Sequence, residues 1–178
     1  MSGRKILVVV GVAVALATCG LLYAQQRQGG GTLTTQDYIE IQQLYATYAQ
    51  AYDRGETAKY VGTFTADGEF WGGYAASGGG RVSRLPYKGT KELTEMGSDG
   101  GRGSRHWTSN LTITPTPEGA NGSVYLIVYD TKSVPPKMEE TAIYDDTLVK
   151  TPQGWRFKKR MRWLDADEQS PYNANRKK

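Results

Sequence analysis

The sequence predicts an α+β domain, and three observations predict it. Apolar and aromatic residues early in the chain recur with the period of a helix, and from Ser104 the pattern changes to the alternation of β-strands. Past the leader there is no cysteine, so the fold must rest on a hydrophobic core rather than on disulfides. Of the 178 residues, those after the leader suffice for one compact domain and leave little room for two.

Arg4 and Lys5 precede a largely apolar run over residues 6–24, which reads as an export leader rather than part of the fold. Residues 1–24 are therefore expected to be a signal peptide or a signal anchor. Cleavage after Ala24, lipidation at Cys19 and retention as a single spanning helix are all compatible with the run, and each leaves the remainder exported, periplasmic or secreted. Residues 25–33 are a Gln/Gly-rich spacer, 34–163 the folded domain and 164–178 a polar tail without periodicity, expected to be disordered.

Within the domain, Thr34 is placed to cap a helix with Asp37 three residues on, a capping box built on the shorter acid. Tyr38, Ile41, Tyr45, Tyr48 and Tyr52 follow at spacings of 3, 4, 3 and 4, on one face of a helix ending near Gly55. Each buried phenol needs a hydrogen-bond partner, so this face suits either a pocket for a polar or aromatic ligand or a core stripe with hydroxyls at its rim. A short helix is expected over residues 57–64, a turn into the first strand over 66–71, and another short helix over 89–96. Two glycine-rich loops, 72–80 and 97–103, read as mobile loops or lids. Neither carries a phosphate-binding or dinucleotide fingerprint.

Long strands are predicted at about 105–114, 123–133, 138–151 and 155–163. In the last, Trp155, Phe157, Met161 and Trp163 fall on one face by strict alternation. Arg156, Lys158, Arg160 and Arg162 fall on the other, read as solvated. Asp145 and Asp146, being adjacent, point to opposite faces.

His106 is the only histidine, at the start of a strand. Imidazole titrates near neutrality, so one copy beside a carboxylate is a proton-transfer centre, and Asp53 is the candidate partner. Alternation puts His106, Thr108, Asn110 and Thr112 on one face, lining a pocket or facing water. One histidine and one leader cysteine make no typical zinc set, there is no Gly-x-Ser-x-Gly elbow, and the formal charge of +4, which falls to +2 without Arg4 and Lys5, is too small to argue for nucleic acid. No metal, cofactor or nucleic-acid partner is expected, and membrane contact only through the leader.

Tyr52-Asp53-Arg54-Gly55-Glu56, Phe64-Thr65-Ala66-Asp67-Gly68, Arg105-His106 with Asn110, Ala142-Ile143-Tyr144-Asp145-Asp146, and Gly154-Trp155-Arg156-Phe157 with Arg160 follow in order along the domain. Together they resemble the SnoaL-like group of the nuclear transport factor 2-like superfamily. The resemblance implies a cone-shaped, mostly antiparallel curved sheet wrapped around the long first helix, with two shorter helices. It also implies a pocket for a small, cyclic or aromatic molecule and a homodimer formed through the sheet. Members similar to scytalone dehydratase pair an aspartate at the end of the first helix with a histidine from the sheet, and Asp53 and His106 match those positions.

The resemblance thus implies a cofactor-independent dehydratase or isomerase, in which Asp53 orients His106 and a tyrosine polarises a carbonyl. Tyr45, Tyr48, Tyr52, Trp71, Asn110 and Tyr129 are the expected ligand contacts. The dehydratase relatives carry a second histidine on the next strand, where this chain offers only Tyr129 or Asp130. That departure motivates the alternative, a non-catalytic periplasmic ligand-binding or assembly module of the same fold.

Overall fold

The computed structural model describes residues 31–72, 86–166 and 170–173. The leader, most of the spacer and nearly all of the first glycine-rich loop lie outside the described residues. Among those described, no helix is long and apolar enough to cross a membrane.

Helix α1 spans Thr35–Arg54. Its start is the expected capping box: the Thr34 hydroxyl accepts from the Asp37 N–H at 3.2 Å, and Asp37 accepts from the Thr34 N–H at 2.9 Å. Its end is set by Gly55 in the left-handed region (φ 67°), whose N–H satisfies the last carbonyls. Ile41, Tyr45, Tyr48 and Tyr52 are buried as the spacing predicts, while Tyr38 is 37% exposed at the helix start. Helix α2 (Thr57–Val61) is shorter than expected, because the chain is already extended at Phe64, where β1 (Phe64–Trp71) begins. The short strand β2 (Tyr87–Lys88) leads into helix α3 (Gly89–Asp99).

Four long strands follow, β3 (Ser104–Thr116), β4 (Gly119–Asp130), β5 (Lys137–Thr151) and β6 (Gly154–Leu164). The fold is α+β: a six-stranded, curved, open sheet in the order β2-β1-β6-β5-β4-β3, antiparallel except for the parallel β1–β6 pair. Its concave face holds α1. The core formed there is mostly aromatic, with Tyr48, Tyr60, Phe64, Tyr144 and Phe157 in mutual edge and tilted contacts.

Three one-residue irregularities decide which side chains face that core. On β3, Ser109 pairs with Tyr125 but Thr112 with Ser123, and Asn110 between them adopts φ 59°. On β5, Val128 pairs with Glu140 but Tyr129 with Met138, leaving Glu139 over. On β6, Thr147 pairs with Lys159 but Leu148 with Phe157, leaving Lys158 over. Each extra residue bends its strand and inverts the alternation beyond it.

Two sequence expectations are corrected as a result. Asn110 does not share a face with His106: it is the exposed residue of the bulge, after which Leu111 and Ile113 pack against the core. The basic row of β6 is not solvated as a unit, for Arg160 and Arg162 turn inward beside Trp155, Phe157 and Leu164, while Met161 and Trp163 lie on the other face. The polar tail also contributes structure at residues 170–173, where a 3-10 turn seats the Tyr172 hydroxyl on Asp145 at 2.8 Å. Asp145 and Asp146 do face opposite ways: Asp146 is buried inside the cone.

Candidate active site

Asp53 lies on the last turn of α1 and His106 near the start of β3, where the strand passes over the helix end. The Asp53 carboxylate takes two hydrogen-bonding groups of one residue. Its Oδ1 stands 2.6 Å from His106 Nδ1, and its Oδ2 accepts the His106 backbone N–H at 3.0 Å. The contact therefore fixes both the strand and the ring. Both side chains are nearly enclosed, 9% exposed for His106 and 7% for Asp53. The edge of Tyr52 packs against the imidazole, centroids 5.2 Å apart at 87°.

A cavity of about 670 Å³ opens beside the ring, lined by Tyr52, His106, Val128, Glu140 and Arg162, with Tyr87 from β2 and Met96 from α3. The second glycine-rich segment forms part of its wall, not a free lid. A Cβ on Gly100 would fall 1.8 Å from the Tyr52 hydroxyl, and one on Gly101 (φ +80°) 2.0 Å from the Tyr52 carbonyl oxygen, so only glycine lets the chain pass this close to the helix end.

Glu140 and Arg162 are site residues that the sequence reading missed. Glu140 extends inward the alternation of Ala142, Tyr144 and Asp146, and that pattern was available to reveal it. Arg162 faces inward only because of the extra residue at Lys158, for which the sequence gives no signal. The Arg162 Nη1 lies 3.2 Å from Glu140 Oε1. Burial pushes the Glu140 carboxyl above its ordinary value, against the opposing charges of Arg162 and His106.

A second acid–base cluster is sealed deeper in the cone. Arg160 donates to both Asp146 oxygens, at 2.8 and 2.7 Å, and neither side chain is exposed. The guanidinium is surrounded by the rings of Phe157, Tyr48 and Tyr144 at 3.9, 4.1 and 4.1 Å, and the Tyr45 hydroxyl donates to Asp146. Burial raises the Tyr45 phenol, and the Asp146 charge raises it further.

Of the expected ligand contacts, then, Tyr52 lines the cavity with His106. Tyr45 and Tyr48 belong instead to the sealed cluster, because about two turns of helix and one turn, respectively, carry them away from Tyr52 at the open end. Trp71 lies on the outer face of β1, donating to Glu69 at 2.6 Å beneath Lys159. Tyr129 lies on the outer face of β4 against Trp107, centroids 4.9 Å apart. Asn110 is exposed, as described.

No curated protein sequence matches the chain. Among solved structures the chain is similar to an NTF2-like protein with a cystatin-like fold from Novosphingobium aromaticivorans, at 21% identity over 84% of this chain and 92% of that one, with a TM-score of 0.65. It is similar to a Catenulispora acidiphila protein in complex with S-DNPA, at 23% identity, 74% and 96% coverage and a TM-score of 0.60. It is also similar to a scytalone dehydratase-like protein from Novosphingobium aromaticivorans, at 22% identity, 71% and 83% coverage and a TM-score of 0.57. At these identities the likeness is one of fold. The family follows from the sequence itself: residues 33–161 match the SnoaL-like domain, and the chain belongs to that family.

Proposed function

We propose that the chain is an exported, cofactor-independent enzyme that moves a proton on a small cyclic molecule, in a reaction of the dehydratase or isomerase kind. The observation that carries this reading is the doubly anchored His106 beside a cavity: with Nδ1 held by Asp53, Nε2 is the nitrogen left to take or return a proton. Tyr52, on the cavity wall, is the phenol placed to donate to a carbonyl. Support also comes from the ligand in the Catenulispora relative and from the dehydratase-like neighbour. Export rests on the apolar leader, and a homodimer on the exposed Trp107, Tyr125 and Met138 of the outer sheet face.

Mass spectrometry of compounds released from the purified full chain is the first test. On a compound so identified, Asp53→Asn and His106→Ala should each lose about 100- to 10,000-fold in turnover while staying folded by circular dichroism. Wild-type rates in both variants would overturn the assignment. A compound that binds the wild type without being converted would favour the ligand-binding module.

A further inference from the structure

Arg162 reaches the cavity from deeper in the cone. Its backbone pairs with Tyr144 on β5, which lies four residues inward of Glu140, or roughly 14 Å at about 3.4 Å per residue. Yet its Nη1 is 3.2 Å from Glu140 Oε1, so the side chain must run along the inner surface toward the open end. Gly72, just past β1, leaves the lane in which it lies: a Cβ there would fall 2.9 Å from the Arg162 Cβ and 3.2 Å from its Nε. The Phe70 ring flanks the guanidinium at 5.9 Å. The side chain is only 7% exposed, and Arg162 is the one lysine or arginine among the described residues that line the cavity with His106.

Taking a guanidinium out of water is costly, and a tie between β5 and β6 does not call for it, because their backbones are already paired. An apolar side chain would fill the lane at lower cost. What the guanidinium adds is a permanent positive charge and a fork of five donors, held in a wall where charge acts more strongly than in water. Glu140 anchors the tip of the fork. Glu95 and Glu139, the other carboxylates on the wall, are exposed, so solvent and salt screen them.

We propose that Arg162 is the oxyanion-binding residue of the cavity, and that the pocket takes a planar ring bearing an anionic oxygen, an enolate or a phenolate. In its catalytic role the inference rests on the proton-transfer reading above. His106 Nε2 takes the proton from the carbon beside a carbonyl. The C–H electron pair becomes the C=C bond, and the carbonyl π pair moves onto the oxygen. Arg162 then stabilises the charge that appears there, while its own protons stay in place.

The test titrates 4-nitrophenol, a ring with an ionisable oxygen, into the purified full chain at a pH where the free probe is half ionised. Absorbance reads how much of the bound probe is the anion. The wild type should hold anion over neutral form by about ten to one, the margin of one charge-assisted hydrogen bond. Arg162→Met should hold mostly the neutral form, because an apolar pocket strips water from the anion without replacing it. Arg162→Gln, uncharged but able to hydrogen-bond Glu140, should behave the same way and serves if the Met variant does not fold. A wild type without the preference, including one that binds neither form, would overturn the proposal, as would a preference that survives both substitutions. An Arg162-dependent preference in a chain that converts no compound released from it would support the oxyanion site and remove the proton-transfer reading. Turnover without the preference would do the reverse.

Discussion

Asp146–Arg160 and Asp53–His106 are both pairings of a carboxylate with a nitrogen base on the inner surface of the cone, yet they are built for opposite ends. The first is bidentate, fully enclosed and walled by aromatic rings. Nothing can reach it, so its charges serve only one another and the strands they join. The second uses both carboxylate oxygens on one residue and leaves the far side of the imidazole toward a cavity. Depth accounts for the difference: two turns of α1 separate Tyr45, over the sealed pair, from Tyr52, beside the open one.

The largest effect expected of any substitution is at the sealed pair. Asp146→Ala leaves Arg160 charged and unpartnered in the core, and urea denaturation should show a loss of about 3–5 kcal/mol. Asp146→Leu combined with Arg160→Met should lose less, since no orphaned charge remains. At the open pair Asp53→Ala should cost less, about 1.5–3 kcal/mol for hydrogen bonds to a charged group. A loss at Asp53 equal to that at Asp146 would break the distinction between the pairs.

The pH dependence of stability sharpens it further, in two opposite directions. Asp37, at the far end of α1, is held well below the usual carboxylate range by Lys150 at 2.7 Å, and by Thr34. It supplies stability at neutral pH that is lost as pH falls through the acid range. Glu140, in the open cavity, is held above its ordinary value, so its contribution is full at low pH and is lost as pH rises through that raised value. Urea midpoints across pH should show the deficit of Asp37→Asn closing toward acid, and Glu140→Gln gaining on the wild type toward neutral pH.

Much of this architecture was legible in the sequence. The capping box, the tyrosine spacing and Gly55 fixed the long helix, and alternation located the four long strands to within a few residues. Asp53 and His106 were legible too, because the pair needs only the helix end and the strand start to meet. What escaped were the three extra residues. Nothing in Lys158 or Glu139 distinguishes it from its neighbours as a chain irregularity. Strict alternation therefore sent Arg160 and Arg162 to solvent, and put Asn110 beside His106. Trp71 and Tyr129 were expected at the ligand from the family resemblance, which does not encode the face that each strand residue takes in this chain.

The surplus residue at Lys158 carries an evolutionary corollary. Trp155 and Phe157 before it and Arg160 and Arg162 after it all face inward, so loss of that single codon would leave β6 in plain alternation with the same residues inside. The bulge has absorbed one added residue without turning the chamber inside out. Small insertions in such strands are thus changes that this architecture can accept while keeping its interior chemistry.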